Sequence, residues 1–294
     1  MTHTHHDGAT DDSLGLARIA RRAAEAVADD IRQAFTETVE VEHKTSEFDP
    51  VTEVDRSSER RIREILAEAT PQAAIAGEEF GSTEPTDSVG SASLRWHIDP
   101  IDGTHNFIAG IPYISTSVAA EVEGVIVAGA VHDPLRRETF WASDDQAWVD
   151  DSVLASAAED PGRPGVLTSQ PFQGLRSTGA ELEELVEICR SFGIVRNPGS
   201  FALQVAHVAA GRASGAFELT GAAPWDIAGG IAVAQATGCT HLRLGQAPPG
   251  FGDWASHSYL ITRDPAQAAE IGPRLTRLMT HGEVPEVFAK FMAI

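Results

Sequence analysis

Leu94-Arg95-Trp96-His97-Ile98-Asp99-Pro100-Ile101-Asp102-Gly103-Thr104-His105-Asn106-Phe107 is the stretch on which the fold turns. Leu94, Trp96 and Ile98 alternate against Arg95 and His97, the period of a strand with a buried face. The strand is expected to break at Pro100, after which Asp99 and Asp102 flank the break and Gly103 and Thr104 lead toward a helix. A strand that ends in carboxylates, a glycine turn and a helix start is how α/β proteins build an ion and phosphate site. Asp99 and Asp102 can face one hard cation or two, with the Ile101 carbonyl between them as a third oxygen. Gly103 lets backbone amides approach an anion without a Cβ in the way. Taken singly, Asp-Pro and Asp-Gly are ordinary turn dipeptides.

The surrounding composition bounds what such a site can serve. A chain of 294 residues, 42% hydrophobic and 22% charged, can bury a full core. No apolar run approaches the roughly 18 residues of a membrane span, and the N-terminus lacks a signal-type core. The expected address is the cytoplasm. Cys189 and Cys239 have no metal-type spacing and read as free thiols. With 22 Lys and Arg against 43 Asp and Glu, the net charge is −21, which repels nucleic acid and membrane lipid as partners. The same field repels a phosphorylated substrate unless bound cations reverse its sign locally.

Upstream of the central stretch, residues 1–12 read as a flexible tail containing His3, His5 and His6. Ser13 is placed to cap one long helix with Leu14, Ile19, Val27, Ile31 and Phe35 on its apolar stripe. Val39 to Lys44 alternates like a strand, and a second helix carries Ile62, Ile65 and Leu66. Thr52 and Asp55 have capping-box spacing; Asp55 either caps that helix or orients a hydroxyl in the site. Ala73 to Gly77 reads as a short buried strand that ends in the acidic turn Glu78-Glu79, and residues 81–93 read as a surface loop.

Downstream, Ser117–Val122 and Val125–Val131 form a hairpin across Glu123-Gly124, and strands over Glu138–Trp141 and Gln146–Val149 extend it. His132 and Trp141 read as structural. A soft boundary over 155–165 divides a lobe of 13–160 from one of 161–294. Beyond it come a strand at Val166, a helix over Glu181–Phe192, a strand at Ile194–Arg196, and Gly199-Ser200 before a helix from Phe201. Ser200 is read there as an N-cap or as a contact for a hydroxylated ligand. A strand ending on Glu218 leads to Pro224-Trp225-Asp226, where Asp226 suits a helix start electrostatically. Ala228, Gly229 and Gly230 suit close packing, and a strand over His257–Thr262 and a helix over Ala266–Met279 close the chain.

Asp99-Pro100-Ile101-Asp102-Gly103-Thr104 with Asn106-Phe107 resembles the first signature of the inositol monophosphatase family of metal-dependent sugar-phosphate phosphatases. Trp225-Asp226-Ile227-Ala228 resembles its second, and Gly77-Glu78-Glu79 stands in the family's order before the first. The resemblance spans roughly Lys44 to Gly238; Gln235 and the spacing from Glu218 to Asp226 depart from the pattern. It implies an α/β (α+β) fold, a layered αβαβα sandwich, working as a homodimer. It also implies a small phosphorylated substrate and magnesium as cofactor, two or three ions in each site. By that resemblance Glu78, Asp99, the Ile101 carbonyl, Asp102 and Asp226 are the metal ligands. Thr104 with Asp55 prepares the attacking water, and Glu79 steadies a water or a further metal position. Gly103 and Thr104 cradle phosphate, and Ser200, Glu218 and Asp226 meet the sugar; Lys44 matches the family's upstream basic residue. Inositol monophosphate is the leading substrate. Histidinol phosphate, fructose 1,6-bisphosphate and 3′-phosphoadenosine 5′-phosphate are alternatives, as is a regulatory binding role.

Overall fold

The structure, a computed structural model, describes residues 9–37, 40–43, 50–83, 94–168, 179–219 and 221–280. In chain order the first half contains α1 (Ala9–Glu25), α2 (Ala28–Phe35), β1 (Glu42–His43), β2 (Pro50–Val51), α3 (Glu53–Ala69), β3 (Ala74–Gly77), β4 (Gly81–Thr83), β5 (Leu94–Asp102) and α4 (Thr104–Ala109). A meander follows: β6 (Ser115–Val122), β7 (Val125–Asp133), β8 (Glu138–Ala142), β9 (Ala147–Val149) and β10 (Ser152–Val153). The remainder is β11 (Val166–Leu167), α5 (Gly179–Ser191), β12 (Val195–Arg196), α6 (Phe201–Ala209), β13 (Gly215–Glu218), α7 (Pro224–Ala236), β14 (Thr240–Arg243), β15 (Tyr259–Thr262) and α8 (Pro265–Thr280).

Two sheets organise these elements. The larger has eight strands in the order β10-β9-β8-β7-β6-β5-β3-β4, and the smaller has five, β12-β11-β13-β15-β14. Helices α1 and α3 pack on the outer face of the large sheet. Helices α6 and α7 fill the space between the sheets, and α5 with α8 lies beyond the small one. The result is the αβαβα sandwich. The middle layer is the tightest: a Cβ on Gly229 would stand 2.6 Å from Ser117 Oγ, and one on Gly230 2.7 Å from Val205 Cβ. Small residues in α7 therefore set how closely it approaches both β6 and α6. Among the described residues no helix is long and apolar enough to cross a membrane.

Strand β5 sits inside the large sheet, parallel to β3 and antiparallel to β6, and is buried on both faces from Trp96 onward. It does not stop at Pro100. The pairing with β6 continues to Asp102 across a register shift between Asp99 and Asp102, where a residue without an N–H is tolerated. That irregularity brings both carboxylates to the carboxyl end of the strand.

Other local expectations need correction. Helix α1 begins at Ala9, so Ser13 lies inside it, and its hydroxyl donates to Asp144 Oδ1 at 2.7 Å instead of capping. The single long helix is divided at Ala26–Val27; Val27 and Ile31 both stay buried across the break. Residues 81–83 form β4, antiparallel to β3, instead of a loop; of the strand expected over 39–44, the described residues 40–43 hold Glu42–His43 as strand, and Val39 and Lys44 lie outside the described residues. Cys189 is half-buried, Cys239 buried, and both are free.

Candidate active site

Asp99 is the centre of charge. Its side chain is 2% exposed, and Glu78, Asp102 and Asp226 are all close enough to push its carboxyl far above the usual carboxylate range, burial being the largest cause. A hydrogen bond joins Asp99 to Glu78 and adds to the upward push on Asp99. Among the described residues, Asp99 Oδ1 is buried without a hydrogen-bond partner. The backbone places Glu78 opposite: β3 runs parallel to β5, and Glu78 N donates to Ile98 O at 3.2 Å.

Asp102 faces a different neighbour. Its Oδ1 accepts from Phe201 N at 2.9 Å, and its Oδ2 from Ala202 N at 2.7 Å, from Ser115 Oγ at 3.1 Å and from Ser200 Oγ. Burial pushes this carboxyl up, and with those four donors pulling against it the value stands at about 6. Asp102 thus caps α6 from outside the helix. Ser200 occupies the N-cap position but makes no side-chain cap bond; its hydroxyl is spent on Asp102.

Thr104 opens α4 behind Gly103, whose φ of +99° suits glycine and whose Cβ would come 3.3 Å from Gly199 O and from Tyr113 O. Thr104 Oγ1 lies 3.3 Å from Asp55 Oδ1 and 3.1 Å from Ile101 O. Asp55 completes a capping box with Thr52, accepting on Oδ2 from Thr52 N at 2.8 Å and Thr52 Oγ1 at 2.5 Å. One oxygen of Asp55 thus caps α3 and the other meets Thr104. Asn106 Nδ2 donates to Tyr113 O and to Pro198 O, each at 2.7 Å, and so fastens the 197–200 turn to α4.

Asp226, in the first turn of α7, accepts from Ala223 N at 2.8 Å and also lies near Asp99. Glu218 and Ser200 are fully buried. Across β13 and β15, Glu218 stands in register with Tyr259, whose fully buried hydroxyl has no hydrogen-bond partner among the described residues. The charge of Glu79 acts on Arg56, and its amide donates to Glu59 Oε2 at 2.7 Å.

The fold therefore gathers Glu78, Asp102 and Asp226 around Asp99, with Thr104 and Asp55 at the next turn. Among the described residues no three acidic, imidazole or thiol groups converge closely enough to enclose an ion by themselves. Asp102 is turned to α6 and Asp226 to Ala223 N. The donor set nonetheless fits a hard divalent cation: oxygen ligands only, mutually repelling charge, and a buried oxygen on Asp99 lacking a donor. Lys44 lies outside the described residues. Two participants escaped sequence reading. Ser115 had no signal; Glu59 had one, an acid three residues before Ile62 on the apolar stripe of α3.

The profile of the Inositol monophosphatase family matches residues 14–278. The Nus factor SuhB of Escherichia coli (strain K12) is 34% identical over 248 residues, 83% of this chain and 86% of that protein. An inositol-1-monophosphatase of Rhizobium meliloti (strain 1021) is 37% identical over 192 residues, covering 65% and 70%. Among solved structures, the extragenic suppressor protein suhB from Bartonella henselae superposes with a TM-score of 0.72 at 27% identity, over 90% of this chain and 98% of that one. Carrying the sandwich, the acidic cluster at the end of β5 and this profile match over most of its length, the chain belongs to the inositol monophosphatase family.

Proposed function

We propose that the protein is a magnesium-dependent phosphomonoesterase acting on a small phosphorylated polyol, inositol monophosphate first among them. One observation carries this reading: Asp99, buried among Glu78, Asp102 and Asp226 with an unmet oxygen, stands one turn from the Thr104–Asp55 pair. Glu78, Asp99, the Ile101 carbonyl, Asp102 and Asp226 would hold the metal. When bound, it supplies positive charge for the phosphoryl oxygens and lowers the pKa of a water.

The chain's own groups do the rest. A phosphate monoester resists attack because its charge repels nucleophiles, so positioning and neutralisation dominate. Thr104 Oγ1, held between Asp55 Oδ1 and Ile101 O, accepts a hydrogen bond from the attacking water and passes the proton toward Asp55. Asp55 is kept in place by Thr52 on its other oxygen. The first-turn amides of α4 have no intrahelical acceptor and suit a phosphate oxygen beside Gly103. By the resemblance to the family, Ser200 and Glu218 are assigned to the polyol side of the site. Hydrolysis is direct, without a phosphoenzyme.

Phosphate release from inositol monophosphate, histidinol phosphate, fructose 1,6-bisphosphate and 3′-phosphoadenosine 5′-phosphate, with magnesium and with a chelator, tests this. Release that needs magnesium and favours the inositol ester is the expected result; none on any ester refutes it. A second reading, a regulatory binding role, is favoured by relatives that carry the name Nus factor SuhB. A homodimer in the cytoplasm belongs to the first reading, and light scattering of the purified protein checks the dimer.

A further inference from the structure

Glu59 has no place in the chemistry above, yet it is a fully buried carboxylate on α3, directly behind the acidic turn. Its Oε2 accepts from Glu79 N at 2.7 Å and its Oε1 from Phe80 N at 3.4 Å. Arg63, one helical turn on, donates through Nε to Glu59 Oε1 at 2.7 Å and through Nη2 to the Gly81 carbonyl. The guanidinium groups of Arg60 and Arg63 each lie 5.9 Å from the Phe80 ring. On the other side, Glu78 N is bonded to Ile98 O. The turn over residues 78–81 is thus gripped from α3 and from β5, and the Glu78 side chain leaves it toward Asp99.

The sequence makes room for this grip. A Cβ on Gly77 would stand 2.1 Å from Glu59 Oε1, so only glycine lets the carboxylate reach the amides behind it. Burying a charged carboxylate is costly unless hydrogen-bond donors and an opposite charge compensate it; burial pushes the Glu59 carboxyl up, and the Glu79 amide and Arg63 pull against it. Two amides and a guanidinium on one carboxylate form a rigid, charge-assisted clamp. Apolar packing would have joined α3 to β3 without directing the turn.

We propose that Glu59 is the positioning residue for Glu78: through the amides of Glu79 and Phe80 it sets the direction of the Glu78 carboxylate toward Asp99, and with it the affinity of the site for its divalent cation. The inference rests on the reading of Glu78 as a metal ligand. Groups that orient metal ligands from behind typically change affinity by roughly 10- to 100-fold when altered.

The test is a calorimetric titration of the chelator-stripped full chain with magnesium, comparing wild type, Glu59→Gln and Glu78→Gln. Thermal midpoints are measured without metal, and turnover is followed across magnesium concentration. Glu59→Gln is isosteric, but its amide nitrogen must face one of the two backbone N–H groups. The expected result is magnesium affinity weakened by roughly tenfold or more, with turnover restored at high magnesium and no further loss of affinity when Glu59→Gln is added to Glu78→Gln. A lowered thermal midpoint with unchanged magnesium affinity in Glu59→Gln overturns the inference. If Glu78→Gln also leaves affinity unchanged, the ligand reading of Glu78 falls and the inference falls with it. Should Glu59→Gln fold poorly, Arg63→Lys, which keeps a cation beside Glu59 but loses the fork, gives the same readout: unchanged affinity there overturns it, and weakened affinity supports it.

Discussion

Asp102 and Ala202 are bonded across 100 residues of sequence, carboxylate oxygen to backbone amide at 2.7 Å, so a residue at the tip of β5 caps a helix of the middle layer. Its neighbour Asp99 has no such employment, and neutralising the two should move stability in opposite directions. In chelator, Asp102→Asn loses a charged cap and should destabilise by about 1–2 kcal/mol. Asp99→Asn removes a buried acid from beside three others and should stabilise the metal-free protein by about 1 kcal/mol while abolishing phosphate release. Urea unfolding in EDTA separates them; equal losses would contradict the assignment.

Thr104 contributes a hydroxyl and little packing, so Thr104→Ala should lower kcat by roughly 100-fold or more with KM nearly unchanged. Thr104→Ser restores the oxygen and should recover most of it. Steady-state kinetics of the pair is the measurement, and an inactive Ser variant would show that the methyl group, not the hydroxyl, is needed.

A pH effect follows from His207. Arg212 Nη1 reaches His207 Nε2 at 3.1 Å, and since a guanidinium only donates, Nε2 must be the acceptor. The other ring nitrogen, Nδ1, 3.1 Å from the Tyr113 hydroxyl, therefore carries the hydrogen. Burial, and then the Arg212 charge, hold this imidazole down at about 4. Because the folded value lies below the unfolded one near 6.5, the unfolded chain takes up a proton that the folded chain refuses. Stability contributed here is complete above about pH 6.5 and falls as pH drops toward 4, by on the order of 2 kcal/mol. Urea midpoints at pH 7 and pH 4.5 should converge in His207→Gln relative to wild type.

Tyr259 carries a hydroxyl with no partner in a fully buried position, near Glu218, Asp102 and Asp226, whose charges add to burial in pushing the phenol well up. Removing an unmet buried donor costs nothing and relieves its desolvation, so Tyr259→Phe should raise the metal-free unfolding free energy by about 1 kcal/mol. A lower midpoint would mean that the hydroxyl is engaged in solution.

The legible parts were those in which a local pattern and its chemistry coincide. Alternation from Leu94 to Ile98 and the carboxylates after it identify β5 and its tip because a strand end needs no distant partner to be recognised. Thr52 and Asp55 are three residues apart, and the capping box forms as their spacing says. What stayed hidden depends on contacts remote in sequence. Nothing near Asp102 announces that its acceptors will be filled by Phe201 and Ala202, and Ser200 reads as a cap because the carboxylate that displaces it lies 98 residues earlier. Pro100 read as a strand end because its missing N–H is visible and the register shift that accommodates it is not. Glu59 was visible only as a charge out of place on an apolar stripe.

The bond from Asp102 to α6 has a consequence for synthesis on the ribosome. When β5 has emerged, its acidic tip is still a cluster of like charges in water, and the amides that restrain Asp102 are about a hundred residues short of being made. The nascent first sheet therefore carries Glu78, Asp99 and Asp102 without the geometry, which is complete only after α6 and then Asp226 at the start of α7 have been made.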